Sequence, residues 1–220
     1  MSEEHAMGYD RNALARHWIS EYTPNPHPNL GRDGVVCPFM VRALRRNYVT
    51  MVTFDATEGD EALMALARRL RDASLCRAEE VGSDRTYLVS MVVPYGLPDP
   101  ELKAMVGRVH SALKPEFVQM GYMAGDFWPD HETVGLHSDM FRPFSSPIPL
   151  LGMRPMVPAD LMFFIKHERT PQDRLRYLGY FRRVFEGRLN AHWQEQLDDA
   201  VAQAERDAVI AAAGRQLGSV

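Results

Sequence analysis

Two cysteines in 220 residues, Cys37 and Cys76, are too few for a disulfide framework. That scarcity points to a reduced protein of the cytoplasm. No apolar run approaches the roughly 20 residues that a membrane span needs. The first twenty residues carry charges at Glu3, Glu4, Asp10, Arg11 and Arg16, with no apolar core of signal-peptide length. A basic surplus is missing as well. Lys and Arg number 25 against 29 Asp and Glu, a net charge of −4, which speaks against a nucleic-acid partner. Strong catalytic signatures are absent: no Gly-rich phosphate loop, no paired CxxC, no HExxH and no GxSxG. Repeats and low-complexity segments are absent too.

What remains is an ordinary globular composition, 45% hydrophobic and 25% charged. Residues 11–22 are expected to form a helix that buries Leu14, Trp18 and Ile19. "TPNPHPNLGRDG" is rich in proline and glycine and reads as a loop. "YVTMVTF" (48–54) and "TYLVSMVV" (86–93) are β-branched, apolar strand sequences. Between them, Leu63, Met64, Leu66, Ala67 and Leu70 mark one helix face, and 76–85 is expected as a loop. Asp99 and Pro100 read as an N-cap and first position of the next helix. Strands are expected at 121–128 and 149–157, and a helix from "PADLMFFIK". Thr170, Pro171 and Asp173 have the form of a helix start. A last helix is expected from Asn190 to about Arg215, its Ala-rich end a candidate dimer contact.

The alternation predicts an α/β fold, with α+β as the variant: a mixed sheet of about four strands covered by helices. Residues 1–168 make the α/β domain and 169–220 a C-terminal helical extension of it. Two-layer and three-layer arrangements both fit this order.

Candidate chemistry gathers in three places. His27 and Cys37 share "HPNLGRDGVVCPF", where a histidine could ionise a thiol nucleophile. Cys37-Pro38 has the form of an axial haem ligand as well as that of a buried small residue. His131 and His137 stand among Asp126, Asp130, Glu132 and Asp139, metal-ligand types whose H-x5-H spacing matches no standard zinc pattern. His137 is also a candidate general base or haem ligand. Finally, "GLHSDMFRPFSSPIP" holds Arg142, Ser145 and Ser146, and Arg154 interrupts an apolar strand soon after. A guanidinium in such a setting needs an anionic or carbonyl partner, either the protein's own Asp160 or Asp126, or a ligand's carboxylate or phosphate.

The stretches "HPNLGRDGVVCPF", "LKPEFVQMGYMAGDFWP", "GLHSDMFRPFSSPIPLLGMRPMV" and "ADLMFF" resemble a bacterial family known only as a domain of unknown function. Its members read HPxLGRxGxVCPF, then GxFHP, then GLHNxxFRPxxSPxP and IRxMV, and the likeness covers about residues 18–164. A second uncharacterised family, with CPF, SFHP and RSPYP, is more distantly similar. The resemblance implies that His27, Cys37, Pro129, Arg142, Ser146, Pro147, Arg154 and Asp160 are motif positions. Where both families carry FHP this chain has Phe127-Trp128-Pro129, so any histidine role there is lost or passes to His131 or His137. Members' genes accompany natural-product assembly, which implies a tailoring enzyme.

Three functional readings follow. The first is an enzyme of unassigned reaction class acting on a small carboxylate-bearing, amino-acid-like metabolite. In it His27, Cys37 and His137 are catalytic, and Arg142, Ser146, Arg154, Asp160 and Trp128 bind substrate. The second is a haem-binding redox enzyme with Cys37 or His137 as axial ligand, no other metal site being firmly indicated. The third is a non-catalytic ligand-binding or assembly protein that dimerises through its C-terminal helices. None of the three calls for nucleic acid or membrane.

Overall fold

A computed structural model describes residues 3–217, with side-chain surroundings over 10–213. The elements run α1 (Glu3–Glu21), α2 (Pro38–Arg45), β1 (Val49–Asp55), α3 (Asp60–Val81), β2 (Val89–Tyr95), α4 (Asp99–Gln119), β3 (Tyr122–Phe127), β4 (Leu150–Pro155), α5 (Leu161–His167), α6 (Pro171–Val184) and α7 (Ala191–Leu217). The chain divides into two compact units. One comprises residues up to Lys114 with Tyr122–Pro155, the other Pro115–Gly121 with residues from Met156 onward.

The first unit holds a four-stranded mixed sheet in the order β1-β2-β4-β3, as expected of an α/β fold. β1 and β2 are parallel and joined by the α3 crossover, while β4 runs antiparallel to both β2 and β3. Antiparallel strands need only a loop between them, so the whole of 128–149 is free to build a rim between β3 and β4.

Helices cover both faces, which decides for three layers. On one face Met51, Met91, Val93 and Leu150 bury against Ala15 and Ile19 of α1 and Met40 and Ala43 of α2. Residues of the opposite parity meet α3 and α4. There the Tyr122 hydroxyl donates to Ser74 at 3.1 Å, and Nε2 of His110 lies 3.1 Å from the Ala124 carbonyl. Gly125 and Gly152 leave room on the α1 face for the Phe127 ring, whose Cε2 would lie 3.0 Å from a Cβ at Gly152. Phe127 in turn meets Trp18 edge-on, at 5.8 Å between centroids.

In the second unit, Phe164 of α5 packs on Tyr177 and Phe181 of α6, and Leu197 and Ala204 of α7 are fully buried. Thr170 caps α6 as its sequence suggests: its Oγ1 accepts from the Asp173 amide at 3.0 Å. Among the described residues no helix is long and apolar enough to cross a membrane.

Local expectations differ from the structure at several points, among them the strand expected over 86–93, which is observed at Val89–Tyr95. α1 begins at Glu3, and its buried stripe is Ala15 and Ile19 while Leu14 is exposed. α2 is an additional element, eight residues opening on Pro38. α3 continues through the expected loop as far as Val81, because a solvated last turn tolerates polar residues all round. Asp99 is inside the first turn of α4, where it pairs with Arg11 at 2.7 Å.

Candidate functional site

Two loops of the first unit shape a cavity of about 470 Å³. The first joins α1 to α2 and is closed at its base by backbone. The Cys37 amide donates to the Thr23 carbonyl at 2.8 Å and the Val36 amide to the Asn25 carbonyl at 2.9 Å. Inside, the Arg32 guanidinium donates to the carbonyls of Asp33, Val35 and Val36, and Leu30 is buried as a plug.

The second loop is the serine- and proline-rich stretch between β3 and β4. Trp128 and Ser145 bridge its base, and the Gly135 amide donates to the Phe141 carbonyl at 2.9 Å. The two loops touch closely at a glycine. Gly31, with φ +76°, lies against the His137 carbonyl so tightly that a Cβ there would overlap it.

Trp18 and Tyr22 of α1, His27, Phe141 and Met140 supply most of the cavity's apolar wall. Asp130, Arg142 and Ser145 supply its polar side. Trp18 and Tyr22 stack at 5.9 Å, and the His27 ring packs 5.0 Å from Phe141. Burial raises the Tyr22 phenol above its ordinary value, so it stays neutral. The backbone amide of Asn29 donates to Nδ1 of His27 at 3.2 Å. A neutral His27 therefore carries its proton on Nε2, which makes that nitrogen a donor.

Arg142 is the decisive group. One terminal nitrogen donates to the carbonyls of Asp139 and Phe141, the latter at 3.2 Å. Those bonds fix the guanidinium on the rim, and among the described residues no carboxylate pairs with it. Its remaining donors are available to a carboxylate or phosphate.

The other residues singled out in the sequence are placed differently. Ser146 lines the cavity, but it is buried and its hydroxyl donates to the Ile148 carbonyl at 2.6 Å, a structural bond. Cys37 does not line the cavity. It is the N-cap residue of α2 and packs on the α1 core cluster. The His137 side chain is exposed; its backbone, not its ring, serves the loop contact. Neither residue therefore fits as an axial haem ligand in this cavity. Arg154 lies over the Phe39 ring at 4.8 Å and donates to the Pro155 carbonyl, so it and Arg142 do not share the cavity. Asp160 belongs to the second unit, where its carboxylate accepts from the Val157 amide at 2.8 Å.

Trp128 stacks on His131 at 4.2 Å, with the Lys103 ammonium 5.3 Å from its ring centroid. It belongs to a second cluster, on the α4 face of the edge strand β3. There Oδ1 of Asp126 lies 3.1 Å from Nδ1 of His110 and 3.7 Å from Nε2 of His131. The longer of these distances is not a hydrogen bond, and Nε2 of His131 is buried without a partner. Burial opposes charge on Asp126, but the two adjacent imidazoles outweigh it and hold the carboxyl well below its usual range. Among the described residues no three His, Cys, Asp or Glu side chains are placed to hold a metal ion.

His110 escaped the sequence reading. Its partner lies on a strand after the helix that carries it, and no local motif joins them. Tyr22 and Trp18 escaped as site residues as well, because an aromatic residue on a helix facing a sheet has the same pattern as one facing a cavity.

The family model for a domain of unknown function, DUF6875, matches residues 12–196, and the chain belongs to that family. No curated protein and no solved structure matches the chain.

Proposed function

We propose that this chain is an enzyme acting on a small carboxylate-bearing metabolite, held in the cavity between the 23–36 loop and the 128–149 loop. One observation carries the reading. A guanidinium with no carboxylate partner among the described residues is fixed by two backbone carbonyls on the wall of a cavity of about 470 Å³. That volume lies within the range of small-molecule sites, and apolar walls with a few convergent polar groups are their usual lining.

In this reading Arg142 takes the carboxylate with two parallel donors, and Nε2 of His27 adds a third. His27 then orients the anion rather than abstracting a proton, since Nδ1 is already engaged by Asn29. Cys37 contributes to the start of α2 and not to the chemistry. The view of the reaction as a tailoring step on a biosynthetic product rests on the motif resemblance. A cytoplasmic setting is part of the proposal, supported by two free cysteines. So is pairing of two copies through α7, supported by Val209 and Ile210, each 70% exposed.

The test is a screen of carboxylate metabolites for thermal stabilisation, run on the wild type and on Arg142→Ala. The expected result is stabilisation by a carboxylate that the variant loses, about tenfold or more in Kd, at an unchanged unliganded melting point. Equal stabilisation of both proteins removes the proposal.

A further inference from the structure

We infer that the ligand of this cavity is bipolar, an α-amino acid whose ammonium is taken by Asp130 while Arg142 takes its carboxylate. The inference rests on the function proposed above and adds a specificity-determining residue to it.

Asp130 and Arg142 line the same cavity with opposite charges. No ion pair joins them, and Asp130 has no hydrogen-bond or ion-pair partner among the described residues. Opposite charges on one wall ordinarily satisfy each other unless something holds them apart. Here both are held. The guanidinium is tied back to the Asp139 and Phe141 carbonyls. Asp130 follows Pro129 and takes a left-handed backbone, φ +57°, which Asp and Asn adopt more readily than other non-glycine residues. Within the cavity a ligand with one positive and one negative end satisfies both groups, while a simple anion leaves Asp130 facing it unfavourably.

The remaining wall fits the rest of such a ligand. Trp18, Tyr22 and Phe141 offer aromatic surface, with Met140, 76% exposed, at the edge. Unbranched and polarisable, a methionine adapts to side chains of differing shape. The class so defined is a free amino acid with an apolar or aromatic side chain. A peptide is disfavoured, since it lacks an ammonium and a carboxylate on one carbon.

The test measures binding of L-phenylalanine, 3-phenylpropanoate and phenethylamine to the full chain by calorimetry. The same titrations are run with Asp130→Asn and Arg142→Gln. Asparagine tolerates the left-handed backbone, so Asp130→Asn should fold, which its unliganded melting curve checks.

Phenylalanine should bind about tenfold more tightly than either single-charge analogue. Asp130→Asn should bring phenylalanine down to the level of 3-phenylpropanoate while leaving the latter unchanged or improved. Arg142→Gln should weaken both carboxylates. If Arg142→Gln weakens both but Asp130→Asn leaves their ratio as in the wild type, the inference falls and the carboxylate site stands. If Arg142→Gln changes nothing, or none of the three compounds binds at millimolar concentration, both fall.

Discussion

Nδ1 of His110, on α4, lies 3.1 Å from Oδ1 of Asp126, on β3, and Nε2 of the same ring lies 3.1 Å from the Ala124 carbonyl. Both ring nitrogens thus face acceptors on one edge strand, and a neutral ring can donate to only one of them. The pair fastens a helix to the strand from which the cavity's rim departs.

This arrangement predicts a definite pH dependence. The folded state holds the Asp126 carboxyl below its ordinary 3.8, so at acid pH the unfolded chain takes up the proton first. The carboxylate's contribution to stability is therefore full above about pH 5 and is lost as pH falls through 3.8 toward the folded value. Urea unfolding of the wild type and Asp126→Asn should show a gap at pH 5 that narrows steadily as pH falls below it. A gap that stays constant down to pH 3 would show that the carboxylate's charge plays no part.

A second prediction concerns the seam between the two cavity loops. Gly31→Ala puts a methyl group into the His137 carbonyl and forces alanine into a left-handed backbone. The expected cost is about 1–3 kcal/mol in denaturant midpoint, with loss of carboxylate binding even in protein that remains folded. Substitution at Gly59, also left-handed but with nothing within 4 Å, should show the backbone penalty alone and leave binding intact.

Phe127 and Gly152 give a third. A Cβ at Gly152 would stand 3.0 Å from the Phe127 ring, which is confined by Trp18 and Phe144. Gly152→Ala should destabilise by about 1–3 kcal/mol through overpacking. Combining it with Phe127→Leu, which frees that space, should cost less than the sum of the two single changes. Strict additivity in thermal melts would show that the ring does not need the glycine.

How much of this was legible in the chain differs by element. β1, β2 and the α3 crossover follow from β-branched runs and a helical stripe, both local patterns. Thr170-Pro171 named its own helix start because capping needs residues within one turn of each other. α2 was illegible: eight residues beginning at Pro38, with no side-chain cap from Cys37, leave too short a pattern. The rim loop was legible as a candidate site by its density of Arg, Ser and Pro. Which of its residues face the cavity was not.

The sequence by itself determined a cysteine-poor α/β chain, its four strands and most of its helices, and the two loops that line the cavity. Periodicity and capping operate within a few residues, so they survive in one dimension. Tertiary structure alone decided that Arg142 lines the cavity while Arg154 lies over Phe39. It also set Cys37 into the start of a helix, left the His137 ring outside, and brought His110 to Asp126. Each of these depends on which strand lies beside which and on the parity of residues across the sheet. A shift of one position in register would have exchanged the two faces and every partner on them.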